Sequence, residues 1–100
     1  MLEFNVKQNN EVLDIELKGR LDATYAPALM EEMKKYSDAS ITKILYHVEE
    51  LEYIASAGLR VIIFSKQKIG ENAEVVLEKP CDTVKSVIDM TGLQNFVTIE

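Results

Sequence analysis

The pattern that most restricts the fold lies in residues 11–18, where Leu13, Ile15 and Leu17 alternate with Asp14, Glu16 and Lys18. Side chains along a strand point alternately to its two faces, so this spacing predicts a strand with one wet face and one buried face. A second short strand is expected over residues 3–8, and Asn9-Asn10 between the two suits the positive φ angles of a tight hairpin. An isolated hairpin is marginal in water, so the rest of the chain has to cover its apolar face.

The remainder alternates helices with strands. After Gly19-Arg20-Leu21-Asp22 the apolar spacing becomes three and four, with Pro27 suited to a first helical turn. Leu29, Met30, Met33 and Tyr36 then share one face up to about residue 36, and Glu31, Glu32, Lys34 and Lys35 form the wet side. Ile44, Leu45, Tyr46 and Val48 make a mostly apolar run, as expected of a central strand covered on both faces. Helical spacing returns at Leu59, Ile62, Ile63 and Lys66 and lasts to Ile69-Gly70, where glycine closes the helix and Gly70-Glu71-Asn72 turns the chain. Val75-Val76-Leu77 is a short strand. Asp82 to Met90 is a helix with Val84, Val87 and Ile88 inward and Gly92 as its C-terminal cap, and Phe96-Val97-Thr98-Ile99 is the last strand. The resulting order, β-β-α-β-α-β-α-β, implies an α/β fold: a mixed sheet, parallel in part, with packed helices and an antiparallel edge from the first hairpin. With 100 residues, 47% of them hydrophobic, and neither repeat nor linker, residues 1–100 read as one domain.

Charge and composition exclude several classes of function. A net charge of −6 without a basic cluster argues against nucleic acid, whose phosphates require Lys and Arg opposite them. No apolar stretch approaches the roughly 20 residues of a membrane span, which predicts no membrane insertion. Met1-Leu2-Glu3-Phe4-Asn5-Val6 lacks a basic start followed by an apolar run, so a cytoplasmic location is expected. Cys81 is the only cysteine, which rules out an internal disulfide and a cysteine zinc site; beside Pro80 and Asp82 it reads as a small inert side chain near a helix start. The glycines are too isolated to cradle a phosphate, so no cofactor is expected. An enzyme is not expected either. A serine-hydrolase elbow would need glycine where Ile54 stands, and His47 precedes the serine instead of following it. His47 itself reads as a hydrogen-bonded strand histidine, and Glu49-Glu50-Leu51-Glu52 as a solvated turn.

The chemistry-bearing stretch is Ile54-Ala55-Ser56-Ala57-Gly58-Leu59-Arg60-Val61, where an apolar segment turns into a helix. Ser56 has two readings. As an N-cap its oxygen would accept a backbone N–H and contribute about 1 kcal/mol. As a surface hydroxyl among small neighbours it would be open to another protein's active site, and a phosphate there would sit at the positive end of a helix. Asp22 likewise reads as a strand end, a helix cap or a partner contact.

Taken in order, these motifs resemble the STAS domains, and within them the bacterial anti-sigma factor antagonists. Gly19-Arg20-Leu21-Asp22-Ala23 is similar to the family's G-x-L-D segment, Ser56-Ala57-Gly58-Leu59 follows Leu51-Glu52-Tyr53-Ile54 where the family has D-S-x-G-L, and Met90-Thr91-Gly92-Leu93 resembles its last helix end. The resemblance implies helices largely on one face of the sheet and a partner-switching role. An anti-sigma factor that is a serine kinase binds the antagonist and phosphorylates it to release itself, and a metal-dependent serine phosphatase restores binding. By that resemblance Ser56 is the phosphorylated residue, and Asp22, Thr24, Ala55, Ser56, Ala57, Gly58 and Leu59 form the partner-binding surface. Two positions depart from the family: Ala55 stands where an acidic residue usually precedes the serine, and His47 where the preceding strand has Asp or Asn. The alternative is a STAS module without phosphorylation, an interaction subunit of a signalling assembly or of a lipid-transport ATPase.

Overall fold

The computed structural model describes residues 2–36, 41–69 and 73–100, side chains at 68, 69 and 94 excepted. Strands β1 (Leu2–Asn9) and β2 (Val12–Leu21) form the expected hairpin. Asn9 pairs with Val12, so the turn is Asn10-Glu11, one position later than the sequence suggests, and Asn10 takes the positive φ of 56°. β2 also runs past its expected end at Lys18. It passes Gly19 at φ 97°, a conformation that L side chains rarely adopt, and ends with Leu21 buried.

Helix α1 (Ala26–Met33) has Pro27 in its first turn and continues into a 3-10 turn over Lys34–Tyr36. Leu29 and Met33 are fully buried, and the Tyr36 hydroxyl donates to the Val6 carbonyl at 3.1 Å, fixing the helix end to β1.

β3 (Lys43–Ile54) is far longer than the run Ile44–Val48, and it absorbs the acidic segment expected to be a solvated turn. Two register shifts against β2 explain the difference. Glu16 pairs with His47 but Lys18 with Glu50, and Gly19 pairs with Leu51 but Arg20 with Tyr53, so β3 carries an extra residue at each irregularity. Each bulge delays the return to the buried face by one residue. The buried positions therefore change from every second residue, Ile44, Tyr46 and Val48, to every third, Leu51 and Ile54, while Glu49, Glu50 and Glu52 stay exposed.

α2 (Ser56–Phe64) widens into π-helical turns over Ser65–Ile69, and the glycine closure at Gly70 and the turn Gly70-Glu71-Asn72 lie outside the described residues. β4 (Glu74–Glu78) leads to α3 (Asp82–Thr91), capped as expected by Gly92 at φ 75°, with Val84 and Ile88 buried. The last strand, β5, is only Thr98–Ile99. Phe96 is excluded because its N–H closes a 3-10 turn on the Leu93 carbonyl at 2.8 Å, which leaves its backbone helical and its ring 67% exposed.

The sheet order is β1-β2-β3-β4-β5, with β1 antiparallel to β2 and every later pair parallel. Parallel crossovers are right-handed almost without exception, and all three here step the same way across the sheet, so α1, α2 and α3 share one face. Burial follows suit: Leu13, Ile15 and Leu17 are covered, whereas Asp14, Glu16 and Lys18 are not. β3 is central, as expected, but helices cover only one of its faces and Leu45 is half-buried on the other. Inside the core, the buried Tyr46 hydroxyl donates to Ser65 Oγ at 2.8 Å, and Ser65 Oγ donates to the Ile62 carbonyl at 2.6 Å. Burial pushes the Tyr46 phenol far above its ordinary pKa, against the opposing effect of the Ser65 hydrogen bond.

Candidate functional site

The ends of β2 and β3 meet side by side and place two loops together. Leu21 and Ile54 are register partners, and the Ala55 N–H donates to the Leu21 carbonyl at 2.9 Å. This bond sets the Ala55-Ser56 turn beside Asp22. Asp22 does not cap α1, whose N-cap is Tyr25. Instead its carboxylate accepts the Thr24 N–H at 3.0 Å, and its carbonyl accepts the Tyr25 and Ala26 N–H groups at 3.2 and 2.9 Å. The loop is thus tied off from within. Thr24 stays exposed and Asp22 partly so.

Ser56 is the first residue of α2, and Ala55 holds the N-cap position with φ −92° and ψ 173°. The expectation of a serine cap is therefore corrected. The sheet bond to Leu21 keeps residue 55 extended and its carbonyl accepts the Leu59 N–H at 3.0 Å, so the helix begins at Ser56, one residue earlier than a serine cap would place it, and no side chain makes a cap hydrogen bond there. Ser56 is exposed, and its hydroxyl is not consumed by capping. Ala55 and Ala57 are half-buried, whereas Gly58 and Leu59 are buried. Gly58 is where the helix touches the sheet: a Cβ on it would lie 2.8 Å from Ile54 Cγ1 and 2.8 Å from Leu21 Cγ. The absence of a side chain lets α2 start directly against the ends of both strands.

Arg60 stands four residues after Ser56, a spacing that puts both on the same side of the helix. Arg20, on β2, lies over the Tyr53 ring at 4.5 Å from its centroid, on the strand residues just before the two loops. Neither arginine was expected at the site. Arg60 was legible from the spacing alone, but the Arg20–Tyr53 pairing depends on the β3 bulge that shifts the register.

His47 lies elsewhere, mid-sheet on the helix-free face. Its Nε2 is 2.9 Å from Asp14 Oδ1 and its Nδ1 is 3.3 Å from Glu78 Oε1, bridging β2, β3 and β4. Partial burial opposes the charged ring, but the hydrogen bonds and charges of the two carboxylates outweigh it and hold the His47 pKa above its ordinary value. Partial burial likewise works against ionised Asp14, and the bonds from His47 and Asn9 overcome it, leaving the Asp14 pKa lowered. The reading of His47 as a hydrogen-bonded strand histidine holds. Its partners are Asp14 and Glu78, so its side chain acts on the sheet and not on the Ser56 turn. Cys81 holds the N-cap position of α3, with its thiol 3.3 Å from the Leu51 carbonyl, which joins that helix to β3. Among the described residues, no group of three or more His, Cys, Asp or Glu side chains is placed to hold a metal ion, and no helix is long and apolar enough to cross a membrane.

The profile of the STAS domain matches residues 3–100. The anti-sigma-B factor antagonist of Bacillus subtilis (strain 168) is 22% identical over 99 residues, which are 98% of this chain and 90% of that protein. The anti-sigma factor antagonist SpoIIAA in its unphosphorylated form superposes with a TM-score of 0.84 at 20% identity, over 98% of this chain and 88% of the other. The phosphorylated form of the Bacillus cell fate determinant SpoIIAA gives 0.75 at 19% identity, over 98% and 91%.

Proposed function

We propose that this chain, which belongs to the STAS domain family, is an anti-sigma factor antagonist switched by phosphorylation of Ser56. The observation that carries this reading is the exposed Ser56 hydroxyl, uncommitted to capping and held beside the Asp22 loop. The similar proteins support the class of activity: one is named an anti-sigma-B factor antagonist, and SpoIIAA has both an unphosphorylated and a phosphorylated structure. The partner is an anti-sigma factor with serine-kinase activity, and the surface offered to it is formed by Asp22, Thr24, Ala55, Ser56 and Ala57, with Gly58 and Leu59 holding the turn in place.

Phosphate on Ser56 adds about −1.5 to −2 charges. Within this chain the charge is tolerated, because it lies at the positive end of α2 and one turn from the Arg60 guanidinium. Against a docked kinase it is not tolerated, since the same surface would have to be desolvated in the complex. The fold survives and the interface weakens. A serine phosphatase then resets the antagonist. Magnesium and nucleotide belong to the two enzymes, and the role of this chain is binding.

The test is calorimetric titration of the serine-kinase anti-sigma factor from the source cells into wild type, Ser56→Ala and Ser56→Asp, with mass spectrometry of the Ser56 peptide after addition of ATP and magnesium. Wild type and Ser56→Ala should bind equally. Ser56→Asp should bind roughly 5–150-fold more weakly, the range of ordinary coupling energies, and only wild type should acquire phosphate. Equal binding by all three with Ser56 unmodified would overturn the switch and favour a constitutive interaction subunit of a signalling assembly or a lipid-transport ATPase.

A further inference from the structure

An apolar groove of about 380 Å³ runs between α2 and the segment that follows α3. Leu59, Ile62 and Ile63 form one wall, and Leu93, Phe96 and Val97 form the other. Two of these side chains are unusually open for their type, Ile63 at 40% and Phe96 at 67% exposed. A concave apolar trough with a few polar groups at its edge has the form of a ligand site. Its volume falls at the small end of ligand pockets, which run from about 300 to 1,000 Å³ and combine apolar walls with a few polar groups.

The polar groups of this groove are of one sign. Arg60 and Lys66 line it, and among the described residues no Asp or Glu does, although the chain has 17 acidic residues against 11 Lys and Arg. Lys66 is braced for such a role: its Nζ donates to the Ala73 carbonyl at 2.6 Å, which fixes the ammonium and leaves two further N–H groups. An apolar trough edged by two cations in a protein of net charge −6 complements an amphipathic anion, with its hydrocarbon part against Ile63 and Phe96 and its carboxylate against Arg60 and Lys66.

We propose that this groove is a binding site for an amphipathic monocarboxylate, of the size of a medium-chain fatty acid. The site belongs to the unphosphorylated chain, because a phosphate on Ser56 would lie in the same groove and compete for Arg60. Ser56 also lines the groove, so its backbone amide reports on occupancy.

The experiment is a ¹H–¹⁵N NMR titration of the intact chain with straight-chain carboxylates of six to twelve carbons, and with 1-decanol as a neutral control. Decanoate should shift the amides of Ser56, Ile63, Phe96 and Val97 while those of β1 stay still. Affinity should rise about fourfold for each added methylene until the groove is filled, as expected from burial of a methylene. Decanol should bind about tenfold more weakly than decanoate, and Arg60→Gln, which leaves only Lys66, should narrow that preference, in keeping with the value of a charge-assisted hydrogen bond. Arg60 is exposed, so the variant should keep the wild-type spectrum away from the groove. Absence of shifts in the groove at millimolar decanoate would overturn the proposal. So would equal affinity for decanoate and decanol, or a concentration-dependent dimer that buries Phe96 and leaves decanoate without effect.

Discussion

Gly58 shows how one atom positions the site. Replacing it with alanine adds a Cβ 2.8 Å from both Ile54 Cγ1 and Leu21 Cγ, and both neighbours are buried, at 1% and 0% exposure. Overpacking of this kind costs about 1–3 kcal/mol. The intrinsic helix preference of alanine over glycine returns at most about 1 kcal/mol, so the steric term wins. Gly58→Ala should therefore lower the melting temperature by about 4–8 °C for each net kcal/mol, measured by circular dichroism. Because the clash sits under the Ala55-Ser56 turn, the variant should also bind the anti-sigma factor proposed as the partner more weakly although every exposed side chain is unchanged. A raised melting temperature would show that α2 can back away from the strand ends at no cost. Ser56 and Asp22 stood out in the sequence by type and position, Gly58 only through the resemblance, and the structure brings the three together at the ends of β2 and β3. The role of Ser56 was not legible in the sequence. Cap and first helical residue differ by one position, and the choice between them was made by the Ala55 bond to Leu21, a contact 34 residues apart that local pattern does not encode.

At the scale of elements, periodicity recovered every strand and helix in order, and it failed where the period itself changed. β3 was cut short at Val48 because its bulges move the next buried residues to Leu51 and Ile54, which resembles a polar turn when read with a period of two. β5 was overextended because the apolar Phe96 belongs to a groove wall and not to the sheet. The His47 bridge was equally hidden, since Asp14 and Glu78 lie 33 and 31 residues away. That bridge joins three strands and gives stability a pH dependence. The His47 pKa is raised in the folded state, so its contribution is complete below the ordinary value of 6.5 and is lost as pH rises through the folded value. The Asp14 pKa is lowered, so its contribution is complete above 3.8 and is lost as pH falls through the folded value. Glu78 favours the cation, Lys7 favours ionised Asp14, and Glu16 lies beside His47 on the same face. The bridge is therefore at full strength between about pH 4 and 6.5. Urea midpoints of wild type and His47→Gln should differ most near pH 5.5 and converge by pH 9. A constant difference across that range would mean that His47 contributes only packing.

Across the whole molecule, cohesion is unequal because the topology leaves one face of the sheet without helices and ends the sheet in a two-residue strand. β3 is hydrogen-bonded on both sides from Lys43 to His47, whereas β5 makes two register pairs with β4, reinforced by the Glu100 N–H to the Leu77 carbonyl at 3.0 Å. Local opening free energies range from near zero at weakly paired segments to the global value in core strands. Amide hydrogen exchange should therefore divide the chain. Ile44 and Tyr46, paired with both β2 and β4, should exchange only through global unfolding, while Phe96, Val97 and Thr98 should exchange faster by roughly two or more orders of magnitude through local opening. The weakly paired C-terminal segment is also the one that forms the second wall of the apolar groove, so local opening there would admit a ligand without disturbing β3. Decanoate should accordingly slow exchange at Phe96 and Val97 while leaving Tyr46 almost unchanged. Uniform exchange along the chain would place the C-terminal segment inside the cooperative core and make the groove a rigid feature of the fold.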